Sequence, residues 1–157
     1  MLKIKPKFYK SKSSLAAMAA LATVSFFIVA LYFSNRQSTS DNGANYIYIN
    51  NCQFKIEIAD DQQERFLGLG KREKMCENCG MLFEFPQKGE YSFCMRDMKF
   101  PLDFIWILDY NVISVVKDVP CNFKGEINPP ISVDKVLELN AGTAEKCGIK
   151  KGDKISY

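Results

Sequence analysis

Residues 104–116 read Phe104-Ile105-Trp106-Ile107-Leu108-Asp109-Tyr110-Asn111-Val112-Ile113-Ser114-Val115-Val116. Five apolar residues in a row, a polar turn, then a β-branched run predict two strands joined by a tight connection. The first run has no polar face, which suits a central strand covered on both sides. Working outward, the same grammar repeats. Tyr46-Ile47-Tyr48-Ile49 and Phe54-Lys55-Ile56-Glu57-Ile58 flank Asn50-Asn51 and predict a hairpin. Met81 to Phe85, closed by Pro86, and Tyr91 to Met95 predict two more strands. Ile131 to Leu139 and Ile155 to Tyr157 complete a set of seven or eight. Two short helices interrupt them. One is capped by Asp60, carries Glu64 and Arg65, packs through Phe66, Leu67 and Leu69, and ends at Gly68 and Gly70. The other covers Ala141 to Lys146 and stops at Gly148. The expected fold is mostly β, a compact β-sandwich or barrel with one or two short helices, rather than a βαβ arrangement.

A different segment precedes this domain. Ser14 to Phe33 is 20 residues without charge, Pro or Gly. As a helix at ~1.5 Å per residue it spans ~30 Å, the thickness of a bilayer core. A cleaved signal peptide is the rival reading. The run is long for one, and its end, Leu31-Tyr32-Phe33, is bulky for a cleavage site. A single N-terminal transmembrane helix acting as a signal anchor is therefore expected. Lys3, Lys5, Lys7, Lys10 and Lys12 lie on its N-terminal side and should stay cytoplasmic. The expected organisation is a basic cytoplasmic segment 1–13, the anchor 14–33, a polar linker 34–45 and an extracytoplasmic domain 46–157. The expected location is the cell membrane, single-pass.

Charge and composition exclude several functions. The 157-residue chain has a net charge of +3 and no histidine. Removing the five N-terminal lysines leaves −2 for the rest, so no nucleic-acid partner is expected. Without histidine, Ser-His and Cys-His catalysis and His-ligated zinc are unavailable. No cofactor and no metal site are expected.

Two clusters could carry chemistry. Six cysteines, at 52, 76, 79, 94, 121 and 147, all follow the anchor. An even count on an oxidising side is compatible with disulfide bonds. Cys76-Glu77-Asn78-Cys79 is open to a local disulfide, a redox dithiol or half a metal site. It leads into Gly80 and a strand, so the helix that lowers a redox thiol's pKa is missing. A disulfide involving Cys76 or Cys79 is expected, with Cys121 as the distant candidate partner if the two do not pair with each other. Cys94 and Cys147 suit small buried positions. The second cluster is Met95-Arg96-Asp97-Met98-Lys99-Phe100-Pro101-Leu102-Asp103. It places charges between two apolar strands. Asp97 and Asp103 are candidates for acid–base work, or for fixing the turn. Arg65 is expected to reach Asp97 or Asp103, since a guanidinium can bridge a carboxylate and carbonyls together. In the loop 120–130, Phe123 and Ile127 either meet a partner or fold back onto the core.

From Phe54 to Ile155 the chain resembles the domain of unknown function 192 family, a prokaryotic group. EIADDQQERFLGLGKRE, GMLFEF, MRDMKFPLDFIWI and VLELNAGTAEKCGIKKGD carry the likeness, in that order. The family pattern includes Arg65, Gly68, Gly80 to Phe83, Met95, Pro101, Asp103 and Gly142. It departs at Cys94, where an aromatic is usual, at Arg96 in place of Lys, and at Asp97 in place of Asn. The resemblance implies a compact, mostly β fold, often exported or tethered, and no established activity.

Three functions remain open at this level. The first is a binding or accessory module, with ligand-contacting candidates Arg65, Met95, Arg96, Asp97, Asp103 and Glu138 and an envelope ligand or protein as partner. The second is an envelope enzyme using Asp103 or Asp97. The third is a thiol-redox module at Cys76 and Cys79.

Overall fold

The computed structural model describes residues 45–157. The expected anchor, the cytoplasmic segment and nearly all of the linker lie outside the described residues. Among the described residues no helix is long and apolar enough to cross a membrane.

Seven strands form one sheet. In chain order they are β1 (Asn45–Ile49), β2 (Cys52–Ala59), β3 (Cys79–Gly89), β4 (Leu102–Leu108), β5 (Asn111–Val119), β6 (Val133–Asn140) and β7 (Ile155–Ser156). Their spatial order is β5-β4-β6-β3-β2-β1-β7. The helices are α1 (Gln62–Leu67) and α2 (Thr143–Lys146). All ladders are antiparallel except β2 with β3, whose crossover contains α1. The sheet curls into a half-barrel. Its two edges meet at a bridge between Asn111 and Lys154, with Val112 N–H donating to Asp153 O at 2.8 Å.

Curling gives the sheet two unequal faces, and side-chain alternation sorts residues between them. The inner face gathers Phe54, Ile56, Leu82, Ile105, Ile107 and Leu137, and draws Val112 and Ile155 from the two edge strands. The outer face carries Met81, Phe83, Phe104, Trp106 and Val136. Loops cover that outer face, contributing Leu69, Met95 and Ile127. Two packed sheets are therefore not needed to bury both sides of β4, in which residues 102–107 are all buried.

Several local expectations are revised. Asp61, not Asp60, caps α1: its carboxylate accepts from Glu64 N at 2.7 Å, and the Glu64 side chain returns to the Asp61 N–H, forming a capping box. Phe66 and Leu67 do not pack on the sheet; they are 68% and 57% exposed, and α1 buries no residue. Leu69, just beyond the helix, does the packing. β3 passes through Pro86, because the ladder to β6 shifts register between Glu84 and Gly89 and no longer needs every N–H. Residues 91–95 make no full strand. Phe93 and Ile127 form an isolated antiparallel bridge, and the alternation there packs Phe93 and Met95 onto the outer face. Asp109 and Tyr110 both turn with positive φ, 47° and 66°, joining β4 to β5.

The disulfide expected to involve Cys76 or Cys79 falls within that pair, so the distant alternative through Cys121 is not taken. Cys76 bonds Cys79 locally, with Cα atoms 5.2 Å apart. Cys52 bonds Cys147 across 95 residues, with Cα atoms 6.0 Å apart. Cys147 is thus a staple rather than a small apolar filler. Cys121 is free and half-buried, and Cys94 is free and exposed, not buried.

Candidate functional site

A cavity of about 560 Å³ opens on the outer face of the sheet. Its size falls within the range of small-molecule sites. Three pieces of chain build it: the end of α1 with the loop to Lys71, residues 91–98, and the floor of strands β3 and β6. Phe83, Phe85, Tyr91 and Phe93 supply aromatic walls. Phe93 meets Phe83 edge-on at 4.9 Å between centroids, and Phe85 stacks on Tyr91 at 3.5 Å. The two loops are fastened by Lys71 N–H donating to Asp97 O at 2.8 Å. A Cβ at Gly70 would crowd Leu67 O at 3.2 Å and lie 3.4 Å from Arg96 O, so the two loops pass each other closely there.

Glu138 forms the polar part of the floor. It sits in β6 opposite Phe104 of β4 and Met81 of β3, and is 5% exposed. Burial pushes its pKa up to about 8, and no hydrogen bond or neighbouring charge contributes. A carboxyl desolvated without a partner holds its proton. At neutral pH it is mostly the neutral acid, with one O–H to donate.

The arginines stand at the mouth. Arg65 donates through Nη1 to the carbonyls of Asp60 and, at 2.9 Å, Glu84. Its guanidinium lies 5.5 Å from the Phe85 ring centre. The expected link from Arg65 to Asp97 or Asp103 is absent; two carbonyls and a ring hold it instead. Arg96 covers the exposed Phe66 ring at 4.6 Å and reaches Phe66 O at 3.5 Å. Asp97 turns with φ 57° and is exposed at the rim. Among the described residues, Arg65, Lys71 and Arg96 form no ion pair.

Of the sequence-nominated residues, the cavity gathers Arg65, Arg96, Asp97 and Glu138. Met95 does not line it; it is buried and borders a neighbouring hollow with Cys94 and Cys121. Asp103 is not part of the cavity. Its side chain alternates to the inner face, wholly buried, and accepts backbone N–H bonds from Asp118 and Ala144, both at 2.8 Å. Phe66, Lys71, Phe85, Tyr91 and Met98 were not singled out from sequence as lining residues. The exposure of Phe66 and Leu67 could have been suspected, because the short helix that carries them has few apolar positions to bury.

The arrangement is an aromatic-walled cavity with a neutral acid at its floor and cations at its mouth, on a single curled sheet. A family model described as "Uncharacterized ACR" matches residues 46–157, and the chain belongs to that family, the domain of unknown function 192 family. Two crystal structures are similar. One is a Sinorhizobium meliloti 1021 protein described as a candidate transcription regulator, 27% identical, with TM-score 0.68, covering 71% of this chain and 91% of that one. The other is a protein of unknown function from Novosphingobium aromaticivorans DSM 12444, 26% identical, with TM-score 0.68, covering 71% and 84%. None of the curated proteins compared matches the chain.

Proposed function

We propose that the chain is a membrane-anchored, extracytoplasmic binding module whose outer-face cavity receives a small ligand. Glu138 carries this reading. A buried carboxyl with no partner costs stability, and it lines a cavity with aromatic walls rather than a closed core. The apolar run 14–33 supplies the anchor, and the lysines before it keep the N-terminus cytoplasmic. Two disulfide bonds in the domain suit an oxidising compartment.

The enzymatic reading through Asp103 and Asp97 has less support. The two do not share the cavity, and Asp103 spends both oxygens on backbone N–H groups. The redox reading at Cys76 and Cys79 lacks the helix start that would activate a thiol, since Cys79 opens a strand.

The binding reading is tested by NMR titration of the isotope-labelled full chain in nanodiscs with a fragment library. Shift changes clustered on residues 65–71, 91–98 and 138 are expected. Changes scattered over the surface, or none, would overturn it.

A further inference from the structure

The cavity also carries information about the class of its ligand, which rests on the binding reading above. Charge is arranged by depth. At the mouth stand Arg65, Lys71 and Arg96 with no acidic partner among the described residues, opposed only by the exposed carboxylate of Asp97. Three cations against one anion leave a net positive mouth. None of these cations at the mouth forms an ion pair with Glu138 at the floor among the described residues. Between them lie the rings of Phe83, Phe85 and Phe93. Phe66, beneath the Arg96 guanidinium, extends the apolar wall outward past the mouth.

We propose that the cavity binds a small amphipathic organic anion whose acidic group meets Arg96 and Lys71 at the mouth. Its apolar or aromatic body lies against Phe83, Phe85 and Phe93. A hydroxyl or carbonyl oxygen at its buried end accepts a hydrogen bond from the Glu138 carboxyl.

The opposite chemistry is an ammonium ion held by an ionised Glu138 among aromatic rings. Rings and a carboxylate do favour cations. The mouth opposes that ligand, because a cation would have to pass three positive side chains to reach the floor. An anion is instead drawn in by the same charges. A neutral acid at the floor does not repel an anion, whereas an ionised one would.

Three probes of one size separate these chemistries: 3-(4-hydroxyphenyl)propanoate, 3-phenylpropanoate and 3-(4-hydroxyphenyl)propylamine. Each is titrated by calorimetry into the full chain in nanodiscs at pH 7, with empty nanodiscs as the blank. The hydroxylated anion should bind about tenfold tighter than the amine. It should bind about fivefold tighter than the anion lacking the hydroxyl, the effect of one net hydrogen bond.

Arg96→Gln should remove most of the preference for the anion over the amine. Glu138→Leu should remove the preference for the hydroxyl and leave the charge preference in place. If Glu138→Leu does not fold, Glu138→Gln, which keeps a neutral donor, should retain the hydroxyl preference. Equal binding of anion and amine, or tighter binding of the amine, overturns the proposed ligand class. Shift changes at the cavity with other library compounds would then leave the binding reading standing. Failure of all three probes to bind overturns the ligand class as well, and a library that never touches the cavity overturns both.

Discussion

Asp103 and Glu138 are acids in adjacent strands, both nearly or wholly removed from water, and the sheet treats them in opposite ways. Asp103 points to the inner face and holds the Asp118 and Ala144 N–H groups, one for each oxygen. Ala144 belongs to α2, and the residue that closes α2, Cys147, is bonded to Cys52 of β2. The inner face is thus tied across distant parts of the chain by one carboxylate and one disulfide. Glu138, on the outer face, has no such partner among the described residues, and burial favours its protonated form. The same face holds the buried Trp106 Nε1, which also lacks a hydrogen-bond partner among the described residues. The free thiols Cys94 and Cys121 lie there too. Burial alone therefore does not mark a functional acid. An acid whose hydrogen bonds are all made within the fold holds the fold together; one left unpaired at a cavity is available to a ligand.

The largest effect should come from the fastened side. Asp103→Ala leaves two backbone N–H groups without their acceptor. It should cost about 3–5 kcal/mol in denaturant unfolding. A loss under 1 kcal/mol would erase the distinction between the two acids. Cys52→Ala opens the loop of 95 residues closed by Cys147. A loss of about 2–4 kcal/mol is expected, together with one more thiol labelled under denaturing, non-reducing conditions. A count lower by one would show that Cys52 was already a free thiol and that the inner face is not stapled there.

Glu138→Gln should act in the other direction. The folded pKa of about 8 lies above the ordinary value of 4.5. Below pH 4.5 both folded and unfolded chains carry the proton, so its burial then brings no ionisation penalty. Between 4.5 and 8 the unfolded chain ionises first, and stability falls as pH rises; above 8 the loss is complete. Glutamine does not titrate. The variant should match the parent near pH 4 and exceed it by on the order of 3–4 kcal/mol at pH 7–8. Parallel stability profiles would mean that Glu138 is solvated or already paired. The smallest change is expected at Phe66→Ala. Its ring is 68% exposed, so stability should move by less than about 0.5 kcal/mol, while 3-phenylpropanoate binding weakens. A large loss of stability would show that Phe66 serves the core rather than the mouth.

The sheet was largely readable from the chain, because continuous apolar runs and two-residue alternation are local signals. Residues 104–116 announce β4, its turn and β5, and the Asn50-Asn51 hairpin is equally direct. Residues 91–95 show the limit of that signal. Their alternation reflects packing on a sheet face, which periodicity does not separate from membership in the sheet. The site was readable only in part. Arg65, Arg96 and Asp97 stood out as charges beside apolar runs. Asp103 looked equally functional, because its two backbone donors are 15 and 41 residues away in sequence. The pairing of Cys52 with Cys147 is hidden for the same reason: a contact across 95 residues leaves no trace in spacing.

The claim that Glu138 is an unpartnered acid at a binding cavity is tested most directly by its own titration. Carbon-13 NMR of the carboxyl in the full chain, assigned with Glu138→Gln, should give a midpoint near 8. Binding of the hydroxylated anion at the cavity should leave that proton in place. A midpoint near 4.5 would contradict the assignment, because a carboxyl that ionises as it does in water is either solvated or already paired.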